Sequence, residues 1–214
     1  MFAHACPPPP PPSQVVQIRR PRWVAGTVVT EYWPSPERWF HGPRVRAPGL
    51  PGRHPADWLF GSRGLAMEGE GVTLGGRMVH FAGPYGGGWL NARSKPTLPC
   101  PSGGAWTNGG PIRLAAPWRA RFAPGPSRSL AYWRSAAVDP RLIAFGSRIF
   151  VPAYCRTPAR GWFVAADTGG AIRIAHVDLF RPPPAEPAGG QMLRGQRIFV
   201  VPPGTRPRRL PRCA

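Results

Sequence analysis

The chain of 214 residues contains few acidic residues and almost no lysine. Nine Asp and Glu oppose 28 Lys and Arg, and Lys95 is the one lysine, so arginine supplies almost all of the net charge of +19. Such a surface attracts polyanions, whether nucleic acid, anionic lipid or an acidic cell wall. Because the sequence has no helix-turn-helix, zinc-finger or aromatic RNA-binding signature, no nucleic-acid partner is expected.

Long apolar runs are missing as well. No segment approaches the roughly 18 apolar residues that cross a membrane. Residues 1–17 lack the apolar stretch of a signal peptide, and the proline run at 7–12 is typical of a spacer that follows an anchor. Either the true start lies upstream or export uses another route, so localisation is inferred from function.

Cysteine and histidine are sparse and scattered. Cys6, Cys100, Cys155 and Cys213 form no C-x-x-C pair, and the five histidines are dispersed, so no metal site is expected. No G-x-S-x-G motif supports a serine nucleophile, and no cofactor is expected. If the protein is exported, up to two disulfides with three pairings can form, and Cys100–Cys155 is the expected bridge.

Proline (32) and glycine (27) together exceed a quarter of the residues. That composition favours loops, turns and short strands, while nine Trp and ten Phe are too many for a wholly disordered chain. Short, irregularly connected strands suit a small closed barrel, which leaves no exposed edge. The predicted strands are 23–33, 130–133, 148–152, 161–166, 172–174 and 196–201.

The predicted organisation has five parts. A Pro/Arg-rich disordered lead-in precedes the first barrel strand, and a long Gly/Pro/Trp-rich segment separates that strand from the rest of the barrel and a basic tail. A structureless loop of that length is unusual in a compact domain, so the segment is expected to form a β-rich insertion or lid. The bounds are 1–21 for the lead-in, 22–33 for the first barrel strand, 34–121 for the insertion or lid, 122–203 for the rest of the barrel and 204–214 for the basic tail.

Carboxylates cluster in one stretch against the basic composition. Three of the four aspartates lie within residues 137–180: Asp139 in the motif AVDP, Asp167 at the start of DTGGAI, and Asp178 in HVDLF. Cleavage of a glycosidic bond needs a carboxylic acid with a raised pKa, which an apolar setting or a neighbouring carboxylate provides. Asp178 stands between apolar residues and would share a groove with Asp167, so it is the candidate acid.

These motifs, with the Thr-Glu-Tyr end of the first predicted strand (30–32), resemble the 3D domain, which is named for three aspartates. This domain occurs in bacterial cell-wall proteins and in the C-terminal part of membrane-bound lytic transglycosylase A-type enzymes. The resemblance implies a mainly β fold, a six-stranded double-psi β-barrel interrupted by the insertion. It also implies a secreted or envelope-located lytic transglycosylase that acts on peptidoglycan glycan strands.

The same resemblance implies roles for two catalytic aspartates. Asp178 would protonate the bond between N-acetylmuramic acid and N-acetylglucosamine and then take a proton from the C6 hydroxyl of the sugar. That hydroxyl closes onto C1 as a 1,6-anhydro ring, so one acid serves both steps. Asp167 would raise the pKa of Asp178 and contact substrate hydroxyls.

Five further residues are expected to bind substrate. Gly169 and Gly170 would turn tightly and let a glycan approach the backbone. Asp139 matches the first aspartate of the family, and its position before a proline also predicts a structural hydrogen-bonding role. Thr30 is a candidate groove residue, and Glu31 is a candidate second carboxylate.

Other residues are ambiguous. Ile174 departs from the family, which usually has Gly there, and its branched side chain is expected to change the loop between Asp167 and Asp178. His176 is expected at the surface or the groove rim. The tryptophans 33, 39, 133 and 162 either stack on sugars or pack in the core, and core packing is favoured for any single one.

Two other functions stay open. A hydrolytic muramidase would need a positioned water and a second carboxylate such as Glu31. A non-catalytic, expansin-like module would bind wall polysaccharide through a basic, Trp-rich surface. The arginine excess also suits anionic wall components.

Overall fold

The computed structural model describes residues 15–85, 88–97, 112–170 and 172–213, and within these ranges the fold is mainly β, as predicted. The strands are β1 (Arg22–Tyr32), β2 (Ser35–Pro36), β3 (Arg44–Val45), β4 (His54–Pro55), β5 (Glu70–Val72), β6 (Met78–Gly83), β7 (Trp89–Leu90), β8 (Pro96–Thr97), β9 (Arg113–Leu114), β10 (Arg121–Pro124), β11 (Ser135–Val138), β12 (Arg148–Phe150), β13 (Trp162–Asp167), β14 (His176–Phe180) and β15 (Met192–Val201). The helices are α1 (Ala56–Phe60) and α2 (Leu65–Glu68), with 3-10 turns at Glu37–Trp39, Pro117–Arg119 and Pro152–Tyr154. None of the described helices is long and apolar enough to span a membrane.

Six strands close into a barrel in the order β1, β14, β11, β13, β12, β15. β1 runs parallel to β14 and β11 runs parallel to β13, while the other neighbours are antiparallel. The expected closed six-stranded barrel is therefore confirmed. Its double-psi connectivity stays a prediction.

Alternating side chains separate the interior of the barrel from its outer wall. Val29, Val177, Leu179 and Ile149 are fully buried in the central hydrophobic cluster. Because successive residues of a strand point to opposite faces, the residue between Val177 and Leu179, Asp178, points to the outer wall. The candidate chemistry therefore lies outside the barrel core.

The chain between β1 and β11 builds a second hydrophobic cluster. Three small sheets and both α-helices surround Trp58, Leu59 and Leu65, which are fully buried. Glu37 is buried beside this cluster and accepts hydrogen bonds from Arg44 Nη2 (2.8 Å) and the backbone N–H of Leu74 (3.0 Å). The predicted domain bounds themselves stay a prediction.

Two predicted strands are wrong. Residues 130–133 lead through a turn into β11, and residues 172–174 lie in the loop before β14. Trp133 and Ile174 have left-handed φ angles of 60° and 52°, which an extended strand does not accommodate. Apolar and β-branched composition alone suggested strands at both places.

The expected disulfide is also wrong. Cys155 is bonded to Cys213, 58 residues further along the chain, and not to Cys100. The C-terminal segment returns to the outer wall of the barrel, where both cysteines pack against Phe150 and Phe199. Cys100 and Cys6 lie outside the described residues.

Candidate active site

The register of four barrel strands brings the candidate residues into one row. Thr30 on β1 pairs with Asp178 on β14, Asp178 pairs with Ala137 on β11, and Ala137 pairs with Asp167 on β13. Strands lie about 4.8 Å apart, so the two aspartates are separated by roughly 10 Å of sheet, with only the methyl group of Ala137 between them. Paired residues share a face, so the whole row points to the outer wall.

A β-bulge in β13 completes this row. Ala136 pairs with Ala165, but the next residue of β11, Ala137, pairs with Asp167, so Ala166 has no partner. If β13 were regular, without the bulge at Ala166, strict alternation would place Asp167 on the same side as Ala165, which is buried in the barrel core. The bulge therefore turns the carboxylate toward Asp178.

Asp178 lies in a cleft of about 420 Å³ between the barrel and the chain from 33 to 68. Its Oδ1 accepts a 2.6 Å hydrogen bond from the Thr30 hydroxyl, which lies 2.8 Å from Nε2 of His176. Burial raises the pKa of Asp178 to about 7; Thr30 opposes the rise, and Asp167 and Glu31 add to it. Asp178 therefore exchanges its proton near neutral pH.

His176 is buried and lines the cleft of Asp178, so of the two expected positions, the surface and the groove rim, the surface is wrong. When Asp178 is ionised, the single hydroxyl proton of Thr30 is donated to its Oδ1, so the hydroxyl oxygen accepts a hydrogen bond from Nε2–H of His176. This chain of hydrogen bonds fixes the orientation of the Asp178 carboxylate.

Asp167 lies in an adjoining cleft of about 230 Å³. Its Oδ2 accepts a 2.8 Å hydrogen bond from the Tyr32 hydroxyl, and its Oδ1 lies 3.4 Å from Nε of Arg128. Burial, followed by the charge of Asp167, raises the pKa of Tyr32 far above its ordinary value, so the phenol stays a donor. Tyr32 thus links the two clefts, both of which it lines.

Glu68 is an acidic residue of both clefts that sequence reasoning missed. It ends α2 and lines both clefts. The residue is exposed, yet atoms of the two cleft walls crowd its carboxyl group. This crowding raises the pKa of Glu68 to about 7, Asp178 adds to the rise and Arg63 opposes it. Its only sequence signal was its rarity as one of nine acidic residues.

Glu31 points away from Asp178, as alternation along β1 requires. Its side chain is 5 % exposed and accepts hydrogen bonds from Tyr154 Oη (3.0 Å), Arg181 Nη1 (2.8 Å) and the backbone N–H of Gln191 (3.3 Å). These contacts hold the loop after β14 against β1. The Glu31 carboxylate is therefore occupied by protein donors.

Asp139 is also occupied by protein donors. It is buried and accepts hydrogen bonds from Arg141 Nη2 (2.7 Å), Arg141 Nε (3.0 Å) and the backbone N–H groups of Arg141 (3.0 Å) and Ile174 (2.8 Å). Burial alone would raise the pKa of Asp139, but these hydrogen bonds outweigh it and hold the pKa at about 2. The geometry supports the structural role of this residue.

The loop between Asp167 and Asp178 turns at a different residue from the one expected. Neither Gly169 nor Gly170 has a left-handed φ, and a Cβ on Gly170 would meet no atom within 4 Å. Ile174, at the position where the family usually has Gly, has the left-handed φ of 52°. Its N–H is the donor to Asp139, so this loop is fixed in the conformation that a glycine would favour.

Of the tryptophans 33, 39, 133 and 162, two line the cleft that contains Asp178. Trp33 and Trp39 meet edge to face with ring centroids 6.2 Å apart. The Trp39 indole N–H donates a 3.1 Å hydrogen bond to the carbonyl of Ala185, which ties the loop after β14 over the cleft. Trp133 packs against the barrel core, and Trp162 lies on the outer wall beside Phe150.

Comparison with known proteins identifies one part of the chain. Residues 134–201 match the family model of the 3D domain, which confirms the resemblance of the aspartate motifs. No curated protein sequence matches the chain.

Several solved structures are similar to the chain. MltA from E. coli is 16% identical with a TM-score of 0.42, over 82% of this chain and 72% of that one. E. coli MltA with bound chitohexaose is 14% identical with a TM-score of 0.49, over 84% and 73%. The lytic transglycosylase LtgG of Burkholderia pseudomallei is 19% identical with a TM-score of 0.41, over 86% and 76%.

Proposed function

We propose that this chain, which carries a 3D domain, is a lytic transglycosylase that cleaves peptidoglycan glycan strands between N-acetylmuramic acid and N-acetylglucosamine. The observation that carries the proposal is the Asp178 carboxyl group, held by Thr30 in an aromatic-walled cleft with a pKa of about 7. A general acid works best when its pKa lies near the working pH. An ordinary surface aspartate would be fully ionised there.

The first step needs the protonated acid. Asp178 donates its proton to the glycosidic oxygen, the bond between C1 and that oxygen breaks, and positive charge develops on the sugar ring. The nearby Asp167 carboxylate stabilises that charge through the electric field of the cleft. The departing sugar leaves with a hydroxyl group, and Asp178 is left as a carboxylate.

The second step returns the proton. The C6 hydroxyl of the same sugar attacks C1, Asp178 takes the hydroxyl proton, and the product is a 1,6-anhydro ring. Asp178 is protonated again, so the cycle closes without water. Because the nucleophile belongs to the substrate, its effective concentration is high.

The substrate would lie across both clefts. Trp33 and Trp39 offer ring faces and edges for sugars on the side of Asp178. Gly190, also in this wall, approaches β1 so closely that a Cβ would lie 2.6 Å from the carbonyl oxygen of Glu31. A glycine there keeps the loop tight against the barrel and leaves room for a glycan.

A hydrolytic muramidase is the second candidate, and Glu68 is the observation that favours it. Hydrolysis needs a second carboxylate that can activate water. Glu31 was the candidate in the sequence, but its oxygens accept hydrogen bonds from Tyr154, Arg181 and Gln191. Glu68 lines the cleft of Asp178 and is the better candidate.

The products distinguish these reactions. The purified chain is incubated with peptidoglycan, and the soluble fragments are analysed by mass spectrometry beside the variants Asp178→Asn, Glu68→Gln and Asp57→Asn. Asp57 is an exposed aspartate of α1 and serves as the matched control. We expect anhydro ends from the parent, Glu68→Gln and Asp57→Asn, and no product from Asp178→Asn.

Other outcomes overturn the proposal. Reducing ends that disappear in Glu68→Gln would identify a hydrolase. No product from any form, while the folded proteins still sediment with the wall, would identify a binding module of the expansin-like kind.

A further inference from the structure

A row of aromatic side chains lies on the outer wall of the barrel, away from the candidate active site. Trp23 on β1 pairs with Phe199 on β15, Phe199 with Phe150 on β12, and Phe150 with Trp162 on β13. Ring centroids are 5.3 Å apart for Trp23 and Phe199 and 5.2 Å apart for Phe150 and Trp162. These rings form a hydrophobic cluster separate from the barrel core.

Two arginines stack on the ends of this row. The guanidinium carbon of Arg197 lies 4.7 Å from the ring centre of Trp23, and that of Arg148 lies 4.6 Å from the ring centre of Trp162. Both arginines are exposed. Stacking holds a guanidinium plane in place by cation–π attraction and leaves its N–H edge free for an anion.

The C-terminal segment forms the opposite wall of a groove over the row. Residues 207–212 face Trp23, Trp162 and Phe199 across a groove of about 880 Å³. The disulfide between Cys155 and Cys213 fixes this segment to the barrel. The segment adds three exposed arginines to the groove: Arg208, Arg209 and Arg212.

Charge is separated across the molecule. Five of the nine acidic residues line the two clefts of the candidate active site. No described Asp or Glu lines the groove. Within the described ranges, neither the three arginines that line it nor the two stacked on its aromatic floor form an ion pair with a carboxylate. Five guanidinium groups without counter-charges create a strongly positive field over an aromatic floor.

We infer that this groove, here named the arginine groove, binds a phosphodiester-linked polyol polymer of the bacterial cell wall. Each phosphodiester has two free oxygens, which match the planar fork of a guanidinium group. The C–H surfaces of the polyol units can lie over the aromatic rings. The inference rests on the proposed function, since it places the chain at the wall, and it supplies an anchor that holds the enzyme beside its glycan substrate.

The disulfide argues for a wall polymer over nucleic acid, the other phosphodiester polymer. Disulfides persist in oxidising compartments outside the cytosol, where nucleic acid is not the usual polyanion. Cys213 directly follows Arg212, so the bridge that indicates such a compartment also builds the groove.

Isothermal titration calorimetry of the full chain with poly(glycerol phosphate) tests the inference. In the variant R148Q/R197Q, we expect affinity to fall roughly tenfold or more, since each arginine near an anionic polymer adds to the attraction. The slope of log affinity against log salt should become shallower by roughly 1.5. Arg208→Gln/Arg209→Gln, on the opposite wall, should weaken binding to a similar degree.

The matched control is R46Q/R77Q, which removes the same charge from two exposed arginines outside the groove. Its affinity should stay within about twofold of the parent, because screening weakens distant charges. Equal loss in this control would show that net charge alone binds the polymer, and would overturn the inference. Tighter binding of duplex DNA with the same number of phosphates, or no binding of poly(glycerol phosphate), would also overturn it.

The binding test is independent of cleavage. Asp178→Asn should bind poly(glycerol phosphate) as the parent does, whatever its activity. R148Q/R197Q should release the same products as the parent from peptidoglycan stripped of anionic polymer. Suppose that the chain releases no product from peptidoglycan, while the arginine variants still lose polymer binding. The proposed function then fails, and the inference about the arginine groove holds.

Discussion

Asp167 and Asp178 pair with the same residue, Ala137, from the two sides of β11. The smallest chiral side chain of the row therefore lies between two carboxylates, and their negative charges interact across it without direct contact. Asp167 adds to the raised pKa of Asp178. In the proposed reaction, this arrangement would give Asp178 the task of proton transfer and leave Asp167, tied to Tyr32, as a fixed source of charge.

Substitutions of Thr30 and Asp167, the two neighbours of Asp178, should shift the pH dependence of kcat/KM in opposite directions. The first step needs protonated Asp178, so the alkaline limb of kcat/KM should follow its pKa of about 7. Thr30→Val removes a hydrogen bond that favours the charged form and should move this limb up by roughly 0.5–1 pH unit. Asp167→Asn removes a negative charge and should move it down by a similar amount.

A pH–rate profile on purified peptidoglycan measures both shifts. Thr30→Ser keeps the hydroxyl group and is the control, with the limb expected where the parent has it. Shifts of the same sign in Thr30→Val and Asp167→Asn would show that Asp178 is not the titrating acid.

Asp178→Asn should stabilise the protein above neutral pH. The pKa of Asp178 is raised to about 7 in the folded state, against about 3.9 in an unfolded chain, so the folded protein loses stability through this group as the pH rises between those values. Asn carries no such cost. The gain should be absent at pH 3.5, grow through pH 4–7 and level off above pH 7 at about 1–3 kcal/mol. Urea unfolding across this pH range measures it.

Asp139→Asn should have the opposite effect. The pKa of Asp139 is lowered to about 2, so its contribution to stability is present above the unfolded pKa of about 3.9 and is lost as the pH falls through 2. Replacing the charge weakens the hydrogen bonds from Arg141 and from the Ile174 N–H. A loss of about 2 kcal/mol is expected at pH 7, fading at the acid end. Asp57→Asn, an exposed carboxyl group, should change urea unfolding little at either pH.

Ile174→Gly should be nearly neutral for stability, unlike most isoleucine-to-glycine changes. A left-handed φ costs an L-residue about 1–2 kcal/mol, which offsets the entropy of glycine in the unfolded chain (about 0.5–1 kcal/mol) and the lost burial of a half-buried side chain (about 1 kcal/mol). Ile172→Gly, at a buried residue without a left-handed φ, should cost about 3 kcal/mol. Equal losses in both variants, measured by urea unfolding, would contradict the role of backbone strain at Ile174.

The sequence by itself determined the β-rich composition, the barrel strands at 22–32, 148–150, 162–167 and 192–201 in outline, and the identity of the carboxylates worth following. The motif HVDLF predicted that Asp178 would stand between apolar residues, which is a local property of the chain, but the strand His176–Phe180 itself was not predicted. The 3D domain could be identified for the same reason. Its motifs are short and contiguous.

Only the tertiary structure decided which carboxylates meet. Asp167 faces Asp178 because one extra residue, Ala166, bulges from β13, and a bulge depends on pairing with another strand. Glu68 lines the cleft of Asp178 from a helix 110 residues earlier in the chain. The carboxylate of Glu31 instead accepts hydrogen bonds from residues 154, 181 and 191. Contacts between residues so distant in sequence leave no periodic trace in it, since closing such long loops is driven by packing of the whole fold.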